Sequence, residues 1–248
     1  MYELTICHLY PDLMNLYGDS GNIIALSKRC QWRGIDVKTV HVSLNDTFRY
    51  DDYDIIFMGG GQDYEQTIIQ DDLVNGKRQH IIEAVEAGKV FLGICGGLQL
   101  LGKSYKTHSG QEIECVGALN LWTHGGETRQ IGNLVFQCDF LMRGDDPGYV
   151  IGFENHSGKT YLGEGVKPMG KVIKGFGNNS EDGFEGAVYK NAYCSYSHGS
   201  LLPKNPALTD HLITLALLNK YPDFQGLEPL PDRLELLTRQ SLIKRFVG

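Results

Sequence analysis

The sequence predicts an α/β fold: a mostly parallel central sheet flanked by helices, with additional antiparallel strands. Three observations predict it. Strand and helix patterns alternate through the first hundred residues, as βαβ units require. The strands are continuous apolar runs, such as Ile55-Ile56-Phe57-Met58 and Val90-Phe91-Leu92-Gly93-Ile94, which suits strands buried on both faces. From about residue 110 the texture changes to short strands between glycine-rich turns, which suits antiparallel additions.

The elements follow in order. Residues 3–9 read as a first strand, and a loop then runs through Gly18 and Asp19 to Gly21. Residues 22–33 carry Ile23, Ile24, Leu26 and Cys30 on one stripe and read as a helix stopped by Gly34. A second strand covers 36–42 and a third 54–58, the latter cut by Gly59-Gly60-Gly61. Residues 76–87 form a helix closed by Gly88, 90–94 a fourth strand, and 97–102 open the next helix. Short strands are expected at 115–119, 132–137, 149–154, 187–189 and 193–196. Residues 208–220 are an amphipathic helix with Asp210 near its start and Lys220 at its end, as the helix dipole favours. Pro222, Pro229 and Pro231 mark a linker before a basic helix at 234–246. The expected organisation is one domain over 1–221, followed by a linker and helix over 222–248. Leu236, Leu237, Gln240, Ile243 and Phe246 share a helical spacing, so that helix packs on its own domain or docks a partner, the first being the simpler reading.

Composition narrows the function. The chain of 248 residues is 42% hydrophobic and 21% charged, which describes a folded globular chain rather than a disordered one. A net charge of −7 disfavours nucleic acid or anionic lipid as the main partner, since both need a basic face. No apolar run approaches the about 18–20 residues that cross a bilayer, and Met1-Tyr2-Glu3-Leu4 has neither the basic nor the apolar region of a secretory signal. A cytoplasmic location without membrane insertion is therefore expected. The six cysteines form no C-x-x-C pair and match no zinc spacing, so most should be small buried hydrophobes, and no metal is expected. The 31 glycines, nearly twice the usual share of about 7%, cluster beside strand ends, where backbone can approach a ligand closely.

The chemistry concentrates at one of those clusters. Gly93-Ile94-Cys95-Gly96-Gly97 has the form G-x-C-x-G where a buried strand meets a helix, the thiol version of a nucleophile elbow. A cysteine at a helix N-terminus gains thiolate character, and the thiolate is the nucleophile. An ordinary strand-end cysteine is the bland alternative. Among eight histidines, His198 ends a strand and precedes Gly199, which makes it the best-placed base; His156 is the runner-up. His8 reads as a core or edge residue, and His108 and His124 as solvated. The N–H groups of Gly60 or Gly61, with that of Gly96, could form an oxyanion hole. A phosphate loop is the rival reading, but neither the Lys-Ser/Thr of a P-loop nor a G-x-G-x-x-G spacing is present.

These residues resemble the class I, triad-type glutamine amidotransferases. The likeness rests on Met58-Gly59-Gly60-Gly61-Gln62-Asp63, Leu92-Gly93-Ile94-Cys95-Gly96-Gly97-Leu98-Gln99, Gly152-Phe153-Glu154-Asn155-His156 and Tyr196-Ser197-His198-Gly199. The middle two are similar to the cobyric-acid-synthase-type branch, and nearly the whole chain is similar to the glutaminase subunits of lipid II isoglutaminyl synthases. The resemblance implies a flavodoxin-like fold and a γ-glutamyl thioester formed by Cys95 on L-glutamine, with His198 shuttling protons. It implies that Arg129 binds glutamine, where composition alone would leave it a surface arginine. It also implies a heterodimer with a Mur-ligase-like subunit (MurT), which holds ATP and Mg²⁺ and amidates the D-glutamate of lipid II in peptidoglycan synthesis, while this chain has no cofactor of its own.

One feature departs from the triad pattern. The usual Glu two residues after the histidine is missing, since the stretch reads His198-Gly199-Ser200. The orienting group is then expected from Glu154, with His156 nearby, or from the partner. Three other functions remain open at this level: the glutaminase of a different synthetase, a non-catalytic scaffold, and another thiol hydrolase.

Overall fold

The computed structural model describes residues 1–247. In chain order it contains β1 (Glu3–Leu9), α1 (Ser20–Gln31), β2 (Asp36–Val42), β3 (Ile55–Met58), α2 (Asp63–Asp71), α3 (Arg78–Glu86), β4 (Val90–Ile94), α4 (Gly96–Leu101), β5 (Ser104–Lys106) and β6 (Glu112–Glu114). The second half contains β7 (Leu121–Gln137), β8 (Tyr149–Leu162), β9 (Gly170–Lys174), β10 (Phe184–Glu185), β11 (Ala187–Tyr189), β12 (Ala192–Ser195), α5 (Leu201–Lys204), α6 (Pro206–Lys220) and α7 (Arg233–Val247).

Two sheets result. The first has the order β11-β12-β4-β3-β1-β2. All its neighbours run parallel except the edge strand β11. Every residue of β3 and β4 is buried, which is why these segments read as unbroken apolar runs rather than alternating ones. The register matters for function. Met58 lies opposite Leu9 and Gly93, and Ser195 lies opposite Ile94. Four parallel strands thus end at one level, and the loops that follow them open on one edge, where α/β proteins build their sites.

The second sheet has the order β10-β9-β7-β5-β6, with β8 pairing β7. The β7–β8 pair is longer than the short strands expected from the sequence, and its register shifts between Gly125 and Gln130. Glycines and charged residues inside both strands hide that continuity in the sequence. The segment 115–119 is not a strand. It is a buried loop whose Val116 and Leu119 N–H groups donate to Leu100 and Leu101 carbonyls. The helix expected from residue 76 starts much earlier: α2, a π-helical turn at Asp72–Lys77 and α3 follow one another. Gln62 and Glu65 cap this run reciprocally, and Gln66, Ile69, Leu73 and Val74 form its buried stripe.

The C-terminal helix packs against β7, β8, β9 and α5. What anchors the segment leading to it is a buried ion cluster. Arg29 of α1 donates to Asp210 of α6 at 2.6 and 2.7 Å and to Asp232, just before α7, at the same two distances. Arg33 adds bonds to Asp210 and to the Glu228 carbonyl. Removing one partner from such a cluster strands buried charge, which costs far more than the intact cluster contributes. The Arg29→Met variant should therefore lose about 3 kcal/mol of stability. The check is denaturant unfolding at pH 7; a shift no larger than that of an exposed-lysine control would contradict the anchoring role.

Candidate active site

Cys95 occupies the junction of β4 and α4 with φ 51° and ψ −101°, a region that side-chain-bearing residues rarely adopt. Such backbone costs about 1–3 kcal/mol and persists only where the surroundings over-determine it. They do so here. The Cys95 N–H donates to the Ser195 carbonyl at 2.8 Å, and the Cys95 carbonyl accepts the Gln99 N–H. The helix that follows packs directly on β3: a Cβ at Gly97 would lie 2.3 Å from the Met58 carbonyl oxygen, so no other residue fits. The result is a thiol held at the start of a helix, in a cleft of about 210 Å³ lined also by Gly61, Gln66, Gln99, Arg129 and Asn155.

His198 follows β12 at the same edge and is fully buried. Its backbone is fastened in both directions to Phe153 of β8, which ties this end of the first sheet to the second. The ring nitrogen Nδ1 lies 3.3 Å from Oδ2 of Asp19 and 3.4 Å from Oδ1. Nε2 has no hydrogen-bond partner among the described residues. Gly60 shows how closely these groups meet. A Cβ there would lie 2.5 Å from Cε1 of His198, 3.3 Å from Asp19 Oδ2 and 3.4 Å from Cβ of Cys95. Burial by itself pulls the imidazolium down, but the negative charge available at Cys95 and the Asp19 carboxylate outweigh it and raise His198 to about 10. The His198 ring is therefore held as the imidazolium in the neutral range.

Asp19 is the residue that sequence reasoning missed. It is fully buried at the N-terminal end of α1, where the helix dipole favours negative charge, and it accepts the Gly60 N–H at 2.8 Å. It supplies the carboxylate that the His198-Gly199-Ser200 stretch lacks. Glu154 does not: its side chain points to the opposite face of β8 from Phe153, as alternation dictates, and accepts the backbone N–H groups of Phe176 and Gly177 at 2.7 and 3.0 Å. His156 is also occupied elsewhere, stacked on Tyr196 with ring centroids 3.6 Å apart and with Nδ1 on the Gly158 carbonyl. The expectation that either residue orients His198 is therefore corrected.

The expected oxyanion glycines divide. Gly60 is unsuited as a donor, because Asp19 already takes its N–H. Gly61 lines the cleft, and its N lies 3.0 Å from where a Gly96 Cβ would stand, so the Gly61 and Gly96 backbones meet beside Cys95. Arg129 lies on the rim in the stretch where β7 loses register, with Nε on Asn155 Oδ1 at 3.0 Å. His8 is a buried histidine pushed down to about 4, chiefly by burial. The other five cysteines are buried as well. Burial pushes Cys30, Cys115 and Cys194 up to about 12, so they are poor nucleophiles.

A strained thiol, an imidazole beside it and a carboxylate behind the imidazole can open a carboxamide through an acyl intermediate. The chain belongs to the CobB/CobQ-like glutamine amidotransferase domain family, whose model matches residues 5–206. Among curated relatives, it is 41% identical over 245 residues to subunit GatD of the lipid II isoglutaminyl synthase (glutamine-hydrolyzing) of Staphylococcus aureus strain N315, covering 99% of this chain and 97% of that one. It is 45% identical over 222 residues to the subunit of the same name from Streptococcus pneumoniae, covering 89% of this chain and 83% of that one. A probable cobyric acid synthase of Methanothermobacter thermautotrophicus is 36% identical, but over only 31% of its own length. In fold the chain is similar to a glutamine amidotransferase of Thermotoga maritima, with a TM-score of 0.53, 17% identity and coverage of 99% and 94% of the two chains. The glutaminase domain of Trypanosoma brucei CTPS gives a TM-score of 0.54 at 11% identity, covering 91% and 98%.

Two outcomes follow from the Asp19–His198 contact. Asp19→Asn should lower kcat for glutamine hydrolysis at least about a hundredfold, because the imidazole loses both its orientation and its charge partner. Glu154→Gln should stay within about threefold of the parent rate; the reverse ranking would contradict the assignment. The His198 ring should stay protonated from pH 7 to 9 when followed by imidazole NMR shifts, since its titration is raised to about 10. A ring that loses its proton between pH 6 and 7, as a free imidazole does, would contradict this.

Proposed function

We propose that this chain is the glutamine-hydrolysing subunit of a lipid II isoglutaminyl synthase, working in the cytoplasm. The observation that carries the reading is Cys95 at φ 51°, close to His198, with Asp19 on the far ring nitrogen. The Cys95 sulfur attacks the side-chain carbonyl carbon of L-glutamine, and the Gly61 and Gly96 N–H groups receive the oxyanion. The imidazolium of His198 gives its Nε2 proton to the departing nitrogen, so that ammonia leaves and a γ-glutamyl thioester remains. His198, now neutral, takes a proton from water as it attacks the thioester, which releases glutamate and restores the imidazolium. Arg129 holds the α-carboxylate of the substrate at the rim, a task for which a guanidinium fork is well matched.

Ammonia then passes to a separate, Mur-ligase-like subunit (MurT). That partner uses ATP and Mg²⁺ to activate the α-carboxylate of the stem D-glutamate of lipid II, and ammonia converts it to D-isoglutamine during peptidoglycan synthesis. The names of the two relatives matched over 97% and 83% of their length support this acceptor over cobyric acid, because the cobyric acid synthase matches over only 31% of its own. No helix among the described residues is long and apolar enough to cross a membrane.

The test uses the purified two-subunit complex with lipid II, ATP and Mg²⁺. Cys95→Ser should abolish amidation with glutamine, by at least about a thousandfold, while amidation with ammonium chloride stays within about twofold of the parent complex. Equal loss with both nitrogen sources would mean that Cys95 does not serve ammonia release, and retained glutamine-dependent amidation would overturn the thioester mechanism.

A further inference from the structure

The rim of the cleft carries a hydrogen-bond chain of which the reaction as described uses Arg129 alone. Arg129 donates Nε to Asn155 Oδ1 at 3.0 Å and Nη2 to the Asn155 carbonyl at 3.4 Å. The amide nitrogen of Asn155 donates to the Tyr17 hydroxyl at 2.5 Å. The Tyr17 ring then meets the His198 ring edge to face, with centroids 5.0 Å apart. Tyr17 is itself held at φ 55° in the loop after β1.

The chemistry of these groups fixes their roles. A guanidinium has donors and no acceptor, so the Asn155 oxygen must face Arg129 and its NH₂ must face away. The tyrosine oxygen is what waits there, so both ends of the amide are engaged. Arg129 belongs to the stretch between Gly125 and Gln130 where the β7–β8 register shifts, whereas Asn155 stays in register opposite Ile131. A long, exposed side chain on irregular backbone is therefore steered by a residue on regular backbone. Among the described residues Arg129 Nη1 makes no hydrogen bond, which leaves that part of the fork for a ligand. An aspartate at 155 would match the same fork as a carboxylate and compensate its charge; an amide orients the cation and leaves the charge intact.

We infer that Asn155 is a positioning residue for substrate binding: anchored by Tyr17, it aims the Arg129 guanidinium at the α-carboxylate of glutamine without neutralising it. This deepens the proposed glutaminase reading and rests on it. Holding a flexible cation ready removes part of the ordering cost of binding, so the effect belongs in KM rather than in the chemical step.

The experiment measures glutaminase kinetics of the complex with L-glutamine and with 4-aminobutanamide, which is glutamine without its α-carboxylate. Asn155→Ala should raise KM for glutamine about tenfold with kcat within about twofold, and should leave kcat/KM for 4-aminobutanamide unchanged. Asn155→Asp should raise KM further, toward the value of Arg129→Met, because the added carboxylate competes with that of the substrate. Tyr17→Phe should move KM in the same direction by about threefold. Iodoacetamide labelling of Cys95 should match the parent in all these variants, which shows that the thiol is undisturbed. An unchanged KM in Asn155→Ala, or equal losses on both substrates, overturns the inference. Absence of glutamine turnover in the parent complex would instead overturn the glutaminase reading itself.

Discussion

The structure depends on one strained residue. Cys95 holds a backbone conformation that its side chain disfavours, and it holds it because β4, β12 and β3 close around the turn. The Ser195 carbonyl fixes its N–H, and the first turn of α4 lies so near the Met58 carbonyl that only glycine fits at 97. Strain of about 1–3 kcal/mol is small against the burial of β3 and β4, but it lifts the sulfur out of the strand line and sets it at a helix N-terminus. Every other feature of the site takes its position relative to that sulfur. Gly60 is glycine because the imidazole ring needs the space, and Asp19 can reach Nδ1 because the loop after β1 leaves the sheet at the same level.

That common level explains how residues 19, 60, 95 and 198 come to form one centre. Parallel strands with matched ends place the loop after each strand on the same edge. The second sheet then supplies the outer wall. Phe153 of β8 clasps the His198 backbone, and the irregular stretch of β7 carries Arg129 to the rim. The first sheet provides the thiol, imidazole and carboxylate; the second provides the cleft's polar lip. The buried Arg29 cluster lies away from this edge and joins α1, which begins beside Asp19, to the segment that leads into α7.

What the sequence reveals depends on whether the cause is local. The buried strands, the G-x-C-x-G turn and the strand-ending His198 are legible because periodicity, small residues and position carry their meaning within a few residues. Asp19 is not, since it lies 179 residues from the histidine it supports, and only the sheet order brings the two together. The one available signal was its place in the loop after the first strand, on the edge where the other candidate residues gather. Glu154 is the converse case: near in sequence to the GFENH stretch, yet turned by strand alternation toward Phe176 and Gly177. The long β7–β8 pair was obscured for a similar reason. Its ladder is stabilised by pairing across the hairpin, while Gly125, Gly126 and Arg129 interrupt the local pattern.

The central claim is that Cys95 is the sulfur that meets the glutamine side chain. The most direct measurement is covalent trapping with a chloroketone analogue of L-glutamine, in which the electrophilic carbon replaces the carboxamide nitrogen, followed by mapping of the adduct by mass spectrometry. The account predicts a single adduct at Cys95, formed more slowly when L-glutamine is present in excess and lost in Cys95→Ala. An adduct at another cysteine, or labelling of Cys95 that glutamine does not slow, would contradict it.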